Sequence, residues 1–257
     1  MFSYVSKDID FAHKLDKPSS PTEEYYKHIH PFNEILVLIY GNVDYTVESE
    51  TRHLSEGDIV FIPSGKYHFA TVDLSVQYER YVCKFPDSLI PDYIRKKITS
   101  GSAFFCNAKK YSVMFTSLDS YIGQFTEDEI YALFTCEITK LMVFLCHDVQ
   151  PTLRHNDFFE LLLSYIDANL RRKITIELLA EEFHYSKSFI NNEFKKHMKI
   201  PLMQYIRSKK IIAAHQMILS GMKKNEAAEM FGFETYSTFY RAYKNLLEAG
   251  NDSQKFD

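Results

Sequence analysis

Between Ile174 and Leu247 the chain carries one short pattern twice, and the second copy is longer by a single residue. The first copy reads Leu179-Ala180-Glu181-Glu182-Phe183, then Tyr185-Ser186, Ile190 and Phe194-Lys195. The second reads Ala227-Ala228-Glu229-Met230-Phe231, then Gly232-Phe233, Phe239 and Tyr243-Lys244. Ala180 to Ala228, Phe183 to Phe231 and Tyr185 to Phe233 are offset by 48, whereas Ile190 to Phe239, Phe194 to Tyr243 and Lys195 to Lys244 are offset by 49. An insertion confined to the link between two apolar stripes is how two helix-turn-helix units would differ. That architecture points to reading double-stranded DNA.

Each copy predicts a positioning helix, a tight turn and a second helix. In the first, Ile176, Leu179, Ala180 and Phe183 form a buried stripe with Thr175 as its cap, and Ser186 caps a second helix that buries Phe189, Ile190 and Phe194. Its opposite face shows Lys187, Ser188, Asn191, Asn192 and Lys195. Asparagine can pair with an adenine edge, and lysine with guanine or phosphate. In the second copy Gly232 supplies the turn and Phe239 and Tyr243 anchor the helix, leaving Thr235, Tyr236, Ser237, Thr238, Tyr240, Arg241 and Lys244 outward. Between them Pro201 opens a helix with the stripe Leu202, Tyr205, Ile206, Ile212, Ala213, Met217 and Leu219. Nineteen residues give a rod of roughly 28 Å, near the ~34 Å between successive major grooves on one face of DNA. One chain is therefore expected to contact two turns of duplex.

Charge is distributed to match. The net charge is −4, yet residues 183–247 hold 11 basic and 4 acidic side chains, while 1–154 hold 15 basic and 21 acidic. The local excess of cations is a polyanion footprint. Hydrophobic content of 46% suffices for packed cores, and 257 residues suit one large domain or two ordinary ones. No apolar run approaches the ~20 residues of a membrane helix, and Met1-Phe2-Ser3-Tyr4 lacks the layout of a signal peptide. Cys83, Cys106, Cys136 and Cys146 are scattered, as befits thiols in a reducing compartment. A cytoplasmic protein is expected.

The first part reads as β. Ile35 to Tyr40 is a short apolar run closed by Gly41-Asn42; Val43, Tyr45 and Val47 alternate with polar residues; Ile59 to Ile62 ends at Pro63-Ser64-Gly65; Tyr78 to Phe85 alternates again. These spacings suggest an antiparallel barrel or jelly roll over about 1–105. From Lys110 the period lengthens, predicting two amphipathic helices within about 109–148. The fold class is α+β: a domain over 1–150 and a double helix-turn-helix domain over 155–257, with the boundary near 150–156.

Within the β part, His28-Ile29-His30, Glu34 and Gly41 form one motif, and Gly57, Pro63, Gly65 and His68 a second. Alternation puts His28 and His30 on one strand face. Three imidazoles and a carboxylate can ligate a divalent transition metal; equally, His30 and Glu34 can be hydrogen-bonded barrel residues and the glycines turn requirements. Residues 20–85 resemble the cupin superfamily, whose two motifs have this content and spacing. The barrel mouth offers a concave place for a small molecule, with Tyr25, Tyr26, Tyr40, Phe61, Tyr67 and Tyr81 as candidate lining. A metal-dependent cupin enzyme or sensor is the rival reading, although no general acid or base beyond the ligand set is recognisable.

Residues 155–247 resemble the AraC/XylS family of transcription regulators. The resemblance rests on Leu179-Ala180, Ser186, Phe194-Lys195-Lys196, Tyr205-Ile206, Lys210-Ile211, Ala214 and Ile218-Leu219, and then on Ala228, Gly232-Phe233, Phe239, Arg241, Tyr243 and Lys244. It implies a bacterial, non-enzymatic activator or repressor of carbohydrate or other catabolic genes. It further implies a small sugar-like or other metabolite as effector, with no resident cofactor, RNA polymerase as a further partner, and a homodimer formed by the helices of 109–148, for which Leu141, Met142 and Leu145 are candidates. Two positions depart from the family pattern. Lys199 stands where glycine is usual, and after Lys244 the usual Gly and Pro are missing, so the last helix is expected to fray or pack differently.

Overall fold

The computed structural model describes residues 2–6, 8–17, 25–149 and 158–251. Contacts divide the chain into two compact units, 1–28 with 32–152, and 153–257 with the short stretch 29–31. The expected boundary at 150–156 falls outside the described residues.

The first unit holds strands β1 (Phe2–Ser6), β2 (Ile9–Asp16), β3 (Asn33–Tyr40), β4 (Val43–Val47), β5 (Glu50–Leu54), β6 (Ile59–Ile62), β7 (His68–Val72), β8 (Tyr78–Phe85) and β9 (Phe104–Phe105). They form two antiparallel sheets, ordered β1-β2-β8-β3-β6-β9 and β5-β4-β7. Leu36 and Leu38 of β3, Val60 and Ile62 of β6 and Tyr78 of β8 meet Val43, Tyr45 and Val47 in one apolar cluster between the sheets. Ile35, Val37, Ile59, Phe61, Tyr81, Cys83 and Phe85 take the opposite side and pack on helices. Coverage on both faces is why Ile35–Ile39 is a continuous apolar run and not an alternating one. Gly57 is required at its turn: its φ is +82°, and a Cβ there would stand 2.9 Å from Lys109 Cβ.

The covering helices are α1 (Asp92–Ile98), α2 (Lys109–Tyr121) and α3 (Glu127–Asp148). Helix α1 was not expected. Arg95, Lys96 and Lys97 make its sequence look solvated, but Ile94 and Ile98 are buried. A capping box starts α3, with the Glu129 N–H bonded to Thr126 Oγ1 and the Thr126 N–H to Glu129 Oε2. By length and composition α3 could cross a membrane, yet Ile130, Phe134, Ile138, Leu141, Met142 and Leu145 are buried in the cluster shared with the larger sheet. This corrects one expectation: Leu141, Met142 and Leu145 are fully buried within the unit, so they serve its core and cannot face a second copy. Their spacing revealed an apolar face, but the sheet of the same chain covers it.

The second unit contains α4 (Phe158–Ala168), α5 (Ile176–Phe183), α6 (Lys187–Met198), α7 (Leu202–Leu219), α8 (Lys224–Met230) and α9 (Tyr236–Asn251). The buried residues around α5 and α6 are Phe159, Leu162, Ile166, Leu179, Ile190, Phe194, Met198 and Tyr205. A second cluster joins Ile211 and Ala214 of α7 to Ala227, Ala228, Phe231, Phe239 and Tyr243. Two stripe residues differ from expectation, since Phe189 is 41% exposed and Leu219 62% exposed. Phe189 instead stacks on Tyr185 at 4.5 Å. Helix α9 continues to Asn251, beyond the missing Gly-Pro.

Candidate nucleic-acid interface and effector site

The one-residue insertion has a structural location. His184 and Gly232, offset by 48 in sequence, both adopt the left-handed conformation that ends the first helix of each copy, with φ of 57° and 73°. Ser186 and Thr235, offset by 49, both cap the second helix. Ser186 Oγ accepts from the Phe189 N–H at 3.1 Å and Thr235 Oγ1 from the Thr238 N–H at 3.2 Å. The extra residue therefore falls at Phe233-Glu234, between the turn and the cap. Thr175 caps α5, accepting from Leu178 N at 3.2 Å.

On α6, Lys187, Ser188, Asn191, Asn192 and Lys195 are exposed, and Ser186 stands in the exposed cap. Lys187 is tied back to α5 by a 2.6 Å ion pair with Glu177, whose carboxyl that bond holds below the ordinary range. On α9, Tyr236, Ser237, Thr238, Tyr240, Arg241 and Lys244 are exposed, with Thr235 at the start. Tyr236 and Tyr240 stack with centroids 5.9 Å apart, which gives this face an exposed aromatic pair.

Sequence reading missed the buried cations of α7. Lys210 Nζ donates to the carbonyl of Arg172 at 2.8 Å and to that of Phe231 at 2.9 Å, and burial pushes its ammonium pKa down. Lys209 pairs with Asp167 at 2.8 Å. Arg207 donates to the Thr238 carbonyl at 3.3 Å. His215 meets the Tyr243 hydroxyl at 2.8 Å, and burial, with Lys224 nearby, lowers its pKa. The lysine-rich segment reads as a solvated face because charge says nothing of where a long side chain finds acceptors.

His28, His30, Glu34 and His68 come together just before and at the start of β3 and β7: one ligand atom from each lies within 4.8 Å of all the others. Backbone pairing of His28 with His68 builds the arrangement, and their rings sit 4.1 Å apart. Nδ1 of His28 lies 2.8 Å from the Tyr26 carbonyl and Nδ1 of His68 lies 2.9 Å from the Lys66 carbonyl. A carbonyl only accepts, so both Nδ1 atoms carry the proton and present Nε2 lone pairs. That is how metal-binding imidazoles are oriented by a second shell. His68 Nε2 lies 3.9 Å from Glu34 Oε2, and the donor set suits a divalent transition metal.

The aromatic lining is smaller than expected. Of the six candidates, Tyr25 belongs to the cluster between the sheets. Tyr26 and Tyr40 are exposed, and Phe61 and Tyr81 face the helices; Tyr67 is buried. Sequence reading also missed a buried polar group. Arg80, on the inward face of β8, donates to Asp16 at 2.6 Å and lies over the Tyr78 ring at 4.2 Å, while the Tyr25 hydroxyl donates to Asp16 at 2.7 Å. Its signal was the alternation Tyr78, Arg80, Val82, which sends the guanidinium inward.

Comparison with known proteins places both units. The family described as "AraC-like ligand binding domain" matches residues 18–129, and "Helix-turn-helix domain" matches residues 179–249. The multiple antibiotic resistance protein MarA of Escherichia coli (strain K12) is 34% identical over 91 residues, 34% of this chain and 69% of MarA. The transcriptional regulatory protein HptR of Staphylococcus aureus (strain NCTC 8325 / PS 47) is 27% identical over 107 residues, covering 40% of this chain and 42% of HptR. A crystal structure of unsaturated fatty acid bound ToxT from Vibrio cholerae strain SCE256 aligns over 94% of this chain and 91% of that one, at 14% identity and a TM-score of 0.43.

Proposed function

The chain belongs to the AraC family of transcription regulators, and from that premise we propose that it contacts two successive major grooves and controls carbohydrate or other catabolic genes. As a member it is a ligand-responsive, DNA-binding regulator. The observation that carries the two-groove reading is the paired geometry: two left-handed turns and two hydroxyl caps, in register across α7. Helix α7 has 18 residues, a strut of about 27 Å. Asn191, Asn192 and Lys195 supply directional donors on one reader, Arg241 and the stacked tyrosines on the other. Transcription from a promoter bound in this way involves RNA polymerase as partner, in a cytoplasmic setting.

The test is binding of the purified protein to its own promoter region, footprinted at varied salt. Protection of two segments about one helical turn apart is expected, with affinity falling steeply as salt rises. Arg241→Ala should weaken specific binding by about 1–3 kcal/mol and blur sequence preference in one segment only. A single protected segment, unchanged by Arg241→Ala, refutes the two-groove reading.

For the effector, the buried Arg80, Glu34 and His68, with the half-buried Asp16 that Arg80 bonds, support a small hydroxyl-rich, sugar-like molecule or a comparable metabolite. A second reading has its own support: the orientation of His28 and His68 favours a divalent metal held by His28, His30, Glu34 and His68 as part of sensing. Stoichiometric metal that disappears in His68→Ala would establish it, and metal-free protein after loading with zinc would remove it. Dimerisation, with the buried α3 residues excluded, falls to the outward Val143 and Phe144, which are 45% and 40% exposed. Phe144→Glu should dissociate the dimer in sedimentation, and an unchanged mass moves the interface elsewhere.

A further inference from the structure

The residue that closes helix α6 holds a conformation it disfavours. Lys199 closes the helix with φ of 54°, its N–H bonded to the Lys195 carbonyl at 2.9 Å. Glycine adopts that region freely, whereas a lysine is strained there. Lys196 pairs with Glu193 at 3.2 Å; among the described residues no carboxylate lies within ion-pair distance of Lys195 or Lys199. Both instead line, with Asn192 and Lys196, an open groove of about 360 Å³.

The groove's position gives it a meaning. Ser188, Asn192, Lys195 and Lys199 follow one another at helical spacing, so they form one ridge. The groove prolongs the reading face of α6 beyond its last turn. Three lysines and an asparagine line it, Lys196 being paired with Glu193, and ammonium groups are donors only. The partner they fit is a singly charged group with several acceptor oxygens. The negative end of the helix explains a basic residue or two in the last turn, which Lys195, Lys196 and His197 already provide. It does not explain a strained lysine after it.

We propose that Lys199, together with Lys195, grips one phosphodiester of duplex DNA in this groove and so sets how deeply the first recognition helix enters the major groove. The proposal rests on the DNA-binding reading above. Phosphate contacts position a reader without carrying sequence information, so Lys199 is a positioning contact: its loss changes affinity and salt dependence, not base preference.

The experiment uses the full chain and a duplex recovered by selection with the wild-type protein. Lys199→Gly and Lys199→Asn both remove the charge, and both residues tolerate the left-handed region. Each variant should melt at a higher temperature than wild type, bind the duplex more weakly, and lose about 0.9 from the slope of log affinity against log salt, with the same preferred sequence. A second arm neutralises single phosphates as methylphosphonates. One such position should weaken wild type and leave Lys199→Asn unaffected. A raised melting temperature with an unchanged salt slope, an unchanged or lowered melting temperature in both variants, or the absence of a methylphosphonate position specific to Lys199 overturns the proposal. Failure of wild type to select any duplex refutes DNA binding itself, separately from Lys199.

Discussion

The two helix-turn-helix units share a turn geometry and differ in what holds it. In the first, the means are local: Thr175 and Ser186 close the two helix starts with their own hydroxyls, and Lys187 reaches back to Glu177. In the second, α8 begins at Lys223 without a side-chain cap. The turn is held instead from α7, by Lys210 on the Phe231 carbonyl and Arg207 on the Thr238 carbonyl. The connecting helix is thus more than a spacer. It bonds the turn and the second helix of the second copy, whereas its bonds in the first unit, from Lys209 to Asp167 and from Lys210 to the Arg172 carbonyl, fall before α5 and leave that copy's turn to its own side chains.

The largest expected effect tests that dependence. Lys210→Met keeps the length and apolar stem of the side chain but leaves the Arg172 and Phe231 carbonyls unbonded. Bonds to a charged group are worth ~1.5–3 kcal/mol each, so a loss of about 3 kcal/mol is expected. Hydrogen exchange should show it concentrated in α8 and α9, with α5 and α6 protected. Equal loss of protection in both units would mean that they unfold together and that the contrast between local and borrowed support has no energetic content.

How much of this was legible follows from what each signal reports. The shift of offset from 48 to 49 located the inserted residue, and Thr175 and Ser186 were read as caps because short hydroxyls beside apolar stripes have few other roles. The His/Glu spacing in the β unit likewise brought together the four residues found together. Periodicity, however, reports that a face is apolar and not what covers it, which is why Leu141, Met142 and Leu145 were assigned to a second copy while the sheet buries them. Charge misled in the same way at α1, where Ile94 and Ile98 are buried beside exposed Lys96 and Lys97, and at Lys209 and Lys210, whose long stems are buried while the final atom seeks a partner. The left-handed turn at His184 carried no glycine to announce it.

That turn gives a comparison of opposite signs at equivalent positions. Gly232→Ala should cost about 1–2 kcal/mol, the ordinary penalty of an L residue in the left-handed region. Space is not the cause, since a Cβ there would meet only Lys210 Nζ, at 3.6 Å. His184→Gly relieves the same penalty and should stabilise by up to about 1 kcal/mol, part being lost to the flexibility glycine adds in the unfolded chain. Thermal melts of the two variants should move in opposite directions. Movement in the same direction would show that His184 contributes contacts that outweigh its backbone strain.

The smallest effect measures the borrowed support directly. Ser186→Ala removes the hydroxyl that accepts from the Phe189 N–H at the start of α6 and should cost about 1 kcal/mol. Thr235→Ala removes the equivalent cap of α9, but Arg207 still bonds the Thr238 carbonyl in that first turn, so the turn frays less and the cost should be about 0.5 kcal/mol. In an Arg207→Ala background the cost of Thr235→Ala should rise to that of Ser186→Ala. The double-mutant cycle therefore has a definite sign: Thr235 and Arg207 substitute for one another at the start of α9, and each matters more once the other is gone. Strict additivity would mean that Arg207 holds the turn's position but not its helical conformation. The second unit would then owe its shape to Lys210 alone.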